Sequence, residues 1–139
     1  MSAEQNKAND HRFFEVCLNK HHVAGADEFC APTITVHSPL GTTQGIADYK
    51  QFLTGYFTGF PDLHFTLNDQ IAEGNTSLTH WTASGTHKGT LAGIPPTGKQ
   101  ATNPGVTLNR WSNGKIQESW IFFDNLALMQ QLGAISTQR

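Results

Sequence analysis

The clearest periodic signal lies at Ile46, Tyr49, Phe52, Leu53, Tyr56, Phe57 and Phe60, which recur at i, i+3 and i+4. That spacing puts one broad apolar face on a helix, which Pro61 ends. Upstream, Ala8, Phe13, Val16, Cys17 and the stem of Lys20 fall near helical spacing, with Phe14 and Leu18 widening the stripe, so a first helix is expected over residues 5–20. A short second helix over residues 26–31 should stop at Pro32. The β-branched run Ile34-Thr35-Val36-His37 reads as a first strand closed by the turn Ser38-Pro39-Leu40-Gly41.

After the long helix the pattern changes period. Residues 64–71, 77–88, 101–112 and 115–123 are strand-like, and the turn residues Glu73-Gly74-Asn75 and Ser112-Asn113-Gly114 separate the outer pairs. Long strands joined by short turns predict an antiparallel meander. Residues 89–99, with Gly93, Pro95-Pro96 and Gly98, form an irregular loop expected to border something. Asn125 to Leu132 reads as a closing helix with Asp124 as N-cap and Gly133 just past its end. Helices followed by a run of strands predict an α+β fold: N-terminal helices packed on a strongly curved antiparallel sheet that encloses a pocket.

Composition narrows the partners. At 139 residues the chain has the length of one domain, spanning residues 1–139. A net charge of -2 and nine Lys plus Arg, without a basic run, argue against nucleic acid and anionic membranes. No apolar stretch approaches the roughly 20 residues of a membrane span. The polar N-terminus does not look like a secretion signal, so a cytoplasmic protein is expected. Cys17 and Cys30, both in expected helical segments, read as buried free thiols. Seven histidines show no metal-ligand spacing: His80 and His87 are an odd number of positions apart on one strand and face opposite ways. No metal is expected.

The motifs Glu28-Phe29-Cys30-Ala31-Pro32, His37-Ser38-Pro39, Gly45-Ile46-Ala47-Asp48-Tyr49, Phe60-Pro61-Asp62-Leu63, Gly93-Ile94-Pro95-Pro96-Thr97-Gly98-Lys99 and Gly114 to Trp120 leading into Asp124 carry a resemblance. Together with Trp81 to Gly89 they resemble the SnoaL-like polyketide cyclase, or ester cyclase, family, of the NTF2-like type, over nearly the whole chain. The resemblance implies a cystatin-like cone and a cyclase that closes a ring by intramolecular aldol condensation of a polyketide ester, without metal or cofactor, using one acid at the end of the last strand. The matching residue is Asp124. Leu108 and Arg110 stand where the family's cyclases place Gln and His, His80 stands where many relatives have Arg, and Phe122-Phe123 precede the acid in place of more polar residues. Asn103-Pro104 should mark an edge or a bulge.

Aldol closure needs a base beside a carbonyl, and aspartate at its ordinary pKa of about 3.9 is a poor one, so apolar walls are required to raise it. Trp120 and Phe122, two and four residues before Asp124, share its face if the strand is regular, and Glu118 lies on that face as a second acid. His37 and His80 are candidate donors to a substrate oxygen, and Trp81 and Tyr56 candidate contacts. Asp124 also has a second reading as a plain N-cap. The expected partner is a small, apolar, carbonyl-bearing molecule, with a homodimer formed on the uncovered sheet face. A non-catalytic ligand carrier, or an isomerase or epoxide hydrolase on the same scaffold, is the alternative.

Overall fold

A computed structural model describes residues 2–135. Its elements are α1 (Ala3–Arg12), α2 (Ala26–Phe29), β1 (Cys30–Ser38), β2 (Gly41–Gln44), α3 (Ile46–Gly59), β3 (His64–Glu73), β4 (Thr76–Thr86), β5 (Gln100–Ser112), β6 (Lys115–Phe123) and α4 (Asn125–Gln131). The strands make one open, curved sheet in the order β2-β1-β6-β5-β4-β3, with helices on its inner face. The fold class is the expected α+β arrangement.

The expected first helix is two devices in series. α1 starts on a capping box, in which Ser2 accepts from the amide of Gln5 and the Gln5 side chain accepts from that of Ser2. It then widens into a π-helical stretch at Phe13–Leu18. The wider turn buries Phe13, Phe14, Cys17 and Leu18 together. The stripe that α1 itself buries is polar, Asn6 and Asp10, whereas Ala8 is exposed.

Three further expectations are corrected. The second helix ends at Phe29, and Cys30 and Pro32 belong to β1, where the six residues Cys30 to Thr35 lie opposite only three of β6, Ile116 to Glu118. Such an irregularity accommodates a residue that cannot donate to the ladder. The sheet is not wholly antiparallel, because β1 pairs with β6 in parallel. The Ser38–Gly41 turn opens into β2, a short edge strand on β1 that the sequence reading left out.

Asn103-Pro104 makes no bulge: β5 pairs with β4 residue for residue from Thr76↔Arg110 to Thr86↔Gln100. On its other flank, pairing with β6 stops at Gly105↔Phe123. Pro104 therefore sits where that flank is open, and its missing N–H interrupts nothing. The Gln131 side chain of α4 takes over there, accepting from the Thr102 amide at 3.1 Å and donating to its carbonyl at 3.3 Å.

The core is continuous from the π-helical stretch across Phe29, Ile34, Tyr49 and Leu53 to Trp81 and Trp111. A second cluster, Phe60, Leu91, Ala101, Leu128 and Leu132, joins α3, α4 and the 87–99 loop. Leu91 reaches it because Gly59 leaves room: a Cβ on Gly59 would lie 3.0 Å from that of Leu91.

Candidate functional site

Between α3, the π-helical stretch and the inner face of β3–β6 lies a cavity of about 110 Å³. Its walls are aromatic. Phe65 meets Trp81 edge to face at 5.1 Å, Phe14 meets Phe65 at 5.8 Å, and Tyr56 meets Phe123 at 6.3 Å. The Trp81 ring lies flat against β5, where a Cβ on Gly105 would come within 2.2 Å of it, and its Nε1 donates to Thr107 at 2.9 Å. Tyr49, Tyr56, Ser84, Asn103 and Thr107 are the polar residues of the lining, and among the described residues no carboxylate, imidazole, ammonium or guanidinium lines it.

One turn and one bulge decide which side chains meet this space. Asn113 and Gly114 have φ of 53° and 77°, and Ser112 pairs with Lys115 across this two-residue loop. Asn-Gly is the sequence that such a left-handed turn favours. The register then slips between Arg110 and Trp111, so that Gln117 is an extra residue on β6. The slip turns Glu118, Trp120 and Phe122 outward and Ser119, Ile121 and Phe123 inward. Without it the expected face of Glu118, Trp120 and Phe122 would have lined the cavity.

Of the side chains singled out from the sequence, Tyr56 and Trp81 line the cavity. His37, Glu118 and Trp120 come together instead on the outer face. His37 Nε2 is 2.7 Å from Glu118 Oε2, its Nδ1 is 3.1 Å from Thr42 Oγ1, and its ring stacks on Trp120 at 5.2 Å. The Arg110 guanidinium lies over Trp120 at 5.0 Å. His80 is also on the outer face, 3.1 Å from Asp69, and Phe122 is 59 % exposed. A second depression, lined by His37, Ser38, Pro39, Ile121, Phe122 and Phe123, lies at the end of β6.

Asp124 is exposed and follows directly on Phe123, which lines the cavity. Its Oδ1 accepts from the Ala127 amide at 2.9 Å and caps α4. The capping role anticipated as one of two readings is thus in place, and it engages one of the two carboxylate oxygens.

Sequence reasoning passed over a buried polar cluster below the cavity. Asp10 accepts from Thr79 Oγ1 at 2.6 Å and from Asn109 Nδ2 at 2.9 Å. Burial pushes its carboxyl above the ordinary carboxylate range, against the pull of these hydrogen bonds. The polar beads Ser77 and Thr79 on β4, alternating with Leu78 and His80, were the one signal available. Cys17 and Cys30 are both buried free thiols, as expected, and burial pushes Cys17 up to about 12. Among the described residues no group of three or more His, Cys, Asp or Glu is arranged to hold a metal, and no helix is long and apolar enough to cross a membrane.

The SnoaL-like polyketide cyclase family matches residues 10–132. Among solved structures, a protein from Jannaschia sp. CCS1 assigned as a SnoaL-like polyketide cyclase is 25 % identical, with a TM-score of 0.89 over 96 % of this chain and 94 % of that one. IdmH of Streptomyces antibioticus, assigned as a polyketide cyclase, is 26 % identical, with a TM-score of 0.80 over 93 % of this chain and 99 % of its own. AclR of Streptomyces galilaeus, assigned as a hydroxylase, is 25 % identical, with a TM-score of 0.87 over 99 % of this chain and 87 % of its own. No protein of curated function matches the chain in sequence.

Proposed function

This chain belongs to the SnoaL-like polyketide cyclase family, and from that premise we propose that it takes one small, largely apolar, carbonyl-bearing molecule into the inner cavity and acts on it as a cofactor-independent polyketide (ester) cyclase. The observation that carries this reading is the cavity itself, aromatic-walled and uncharged, with a few hydroxyl and amide groups to orient a ligand. Tyr56 and Trp81 contact the ligand there. Asp124, at the end of β6 and next to the cavity-lining Phe123, is the acid/base group, working through the oxygen that the α4 cap leaves over. It removes a proton from the carbon beside a carbonyl, the enolate carbon bonds to a second carbonyl carbon of the same molecule, and the resulting alkoxide takes a proton back. The hydroxyl and amide groups of the lining are the donors that would stabilise the enolate and alkoxide oxygens.

One observation favours a second reading, a non-catalytic ligand carrier: no carboxylate, imidazole, ammonium or guanidinium among the described residues lines the cavity, and Asp124 is exposed. Proton exchange into D2O beside the carbonyl of β-keto esters and polycyclic ketones separates the two. The enzyme reading predicts exchange by wild type that a folded Asp124→Asn variant loses. Binding without exchange in both proteins selects the carrier.

His37, His80, Trp120 and Phe122 belong in this account to the outer face, which with exposed Ile71 and Phe122 suits a second copy of the chain in a homodimer. Sedimentation of wild type against Phe122→Lys tests it, the variant being expected to run as a monomer.

A further inference from the structure

Several of the large polar side chains buried in this protein are paired with one another. The Trp81 and Trp111 indoles donate to Thr107 and Ser77, each at 2.9 Å, and Asp10 is held by Thr79 and Asn109. Tyr49 differs. It is 3 % exposed and lines the cavity, yet no hydrogen bond joins its hydroxyl to any described residue. A phenol on a cavity wall that has no partner in the protein is free to donate to a ligand there.

The surroundings define what that partner is. Burial, with smaller contributions from Cys30, Cys17 and Asp10, holds the Tyr49 phenol well above its ordinary range, so the group remains an O–H donor at any physiological pH. A donor in a lining without charged side chains calls for an uncharged acceptor, a carbonyl or ether oxygen, and not for a carboxylate or an amine. The position on α3 adds a direction. Tyr56 is seven residues further along the same helix face, roughly 10 Å down the axis, beside Phe123 and the Phe60–Leu128 cluster. Tyr49 is the inner of the two donors, packed with Phe13, Cys17 and Cys30 in the main core.

We propose that Tyr49 is the deep anchor of the cavity, donating its hydroxyl hydrogen to the carbonyl oxygen of an uncharged, ring-containing ketone or ester and thereby fixing which end of the ligand enters first. The proposal rests on the cavity being the ligand site. It makes Tyr49 a specificity-determining residue that neither the periodicity of α3, where it counts as one more apolar position, nor the acid at Asp124 brings to notice.

The test uses 9-fluorenone and fluorene, which share a tricyclic skeleton and differ in the carbonyl. Calorimetric titration of wild type is expected to favour fluorenone by about fivefold to tenfold, the value of one neutral hydrogen bond. Tyr49→Phe, which keeps the ring, is expected to bind fluorene unchanged and to lose the preference. The carbonyl stretching band of 13C-labelled fluorenone bound to wild type should sit near its position in methanol. This second readout needs no variant and keeps the anchor falsifiable if Tyr49→Phe does not fold. A band at the cyclohexane position, or a preference that survives in Tyr49→Phe, overturns the anchor. Equal affinity of wild type for both compounds overturns the anchor and leaves the cavity as ligand site. Binding of neither compound overturns the cavity reading and the anchor with it.

Discussion

The two faces of the sheet are built from the same strands and behave as different materials. On the inner face, Trp81, Thr107, Ile121 and Phe123 surround an uncharged cavity, and what holds them is burial and ring contact. On the outer face, one residue away along each strand, His80, Arg110, Glu118 and Trp120 form half-exposed pairs whose charges face water. The contrast shows that the two environments are divided by strand parity, and that parity on β6 is set by a single bulge at Gln117.

The contrast is broken most severely by comparing two tryptophans. Trp81→Ala removes a 4 %-exposed cavity wall and should cost about 3–5 kcal/mol, whereas Trp120→Ala on the outer face should cost about 1 kcal/mol, both read by urea unfolding. Next in size is Gly105→Ala, which brings a Cβ within 2.2 Å of the Trp81 ring. Overpacking of this kind should cost about 1–3 kcal/mol and weaken ligand binding, because the ring has to move into the cavity.

A third test concerns pH. Asp10 has its folded-state pKa raised, chiefly by burial, so its contribution to stability is full below its ordinary value of 3.8 and is lost as pH rises through the folded value. Wild type should therefore lose stability relative to Asp10→Asn as pH rises above 3.8, as followed by thermal melts across a pH series. A wild-type curve parallel to that of the variant would mean that Asp10 is not held protonated. The smallest effect is expected on the outer face. Glu118→Gln breaks a pair with His37 whose side chains are about one-third exposed, and should change stability by less than about 1 kcal/mol at any pH.

Much of this architecture was legible in the sequence, for physical reasons that differ by element. The i, i+3, i+4 spacing of Ile46 to Phe60 could only be a helix covering something large, and α3 is that helix. Asn113-Gly114 announced its turn, because few other pairs adopt two left-handed residues at so little cost. The bulge at Gln117 left no such mark. Gln117 and Glu118 are both polar, and either can point to water, so alternation along β6 fits two registers. The polar stripe of α1 was hidden for a related reason: Asn6 and Asp10 read as a solvated face until Thr79 and Asn109 are placed opposite them. Tyr49 was visible as an apolar position, and only the folded chain places it on the cavity wall.

The central claim is that the inner face, and not the outer, receives the ligand. Contacts between protein protons and bound 9-fluorenone, measured by NMR on protein with assigned aromatic side chains, test it most directly. The account predicts cross-peaks from the ligand to the indole of Trp81 and the rings of Phe65 and Phe123, and none to Trp120 or His37. Cross-peaks to Trp120 and His37, with Trp81 silent, would contradict it.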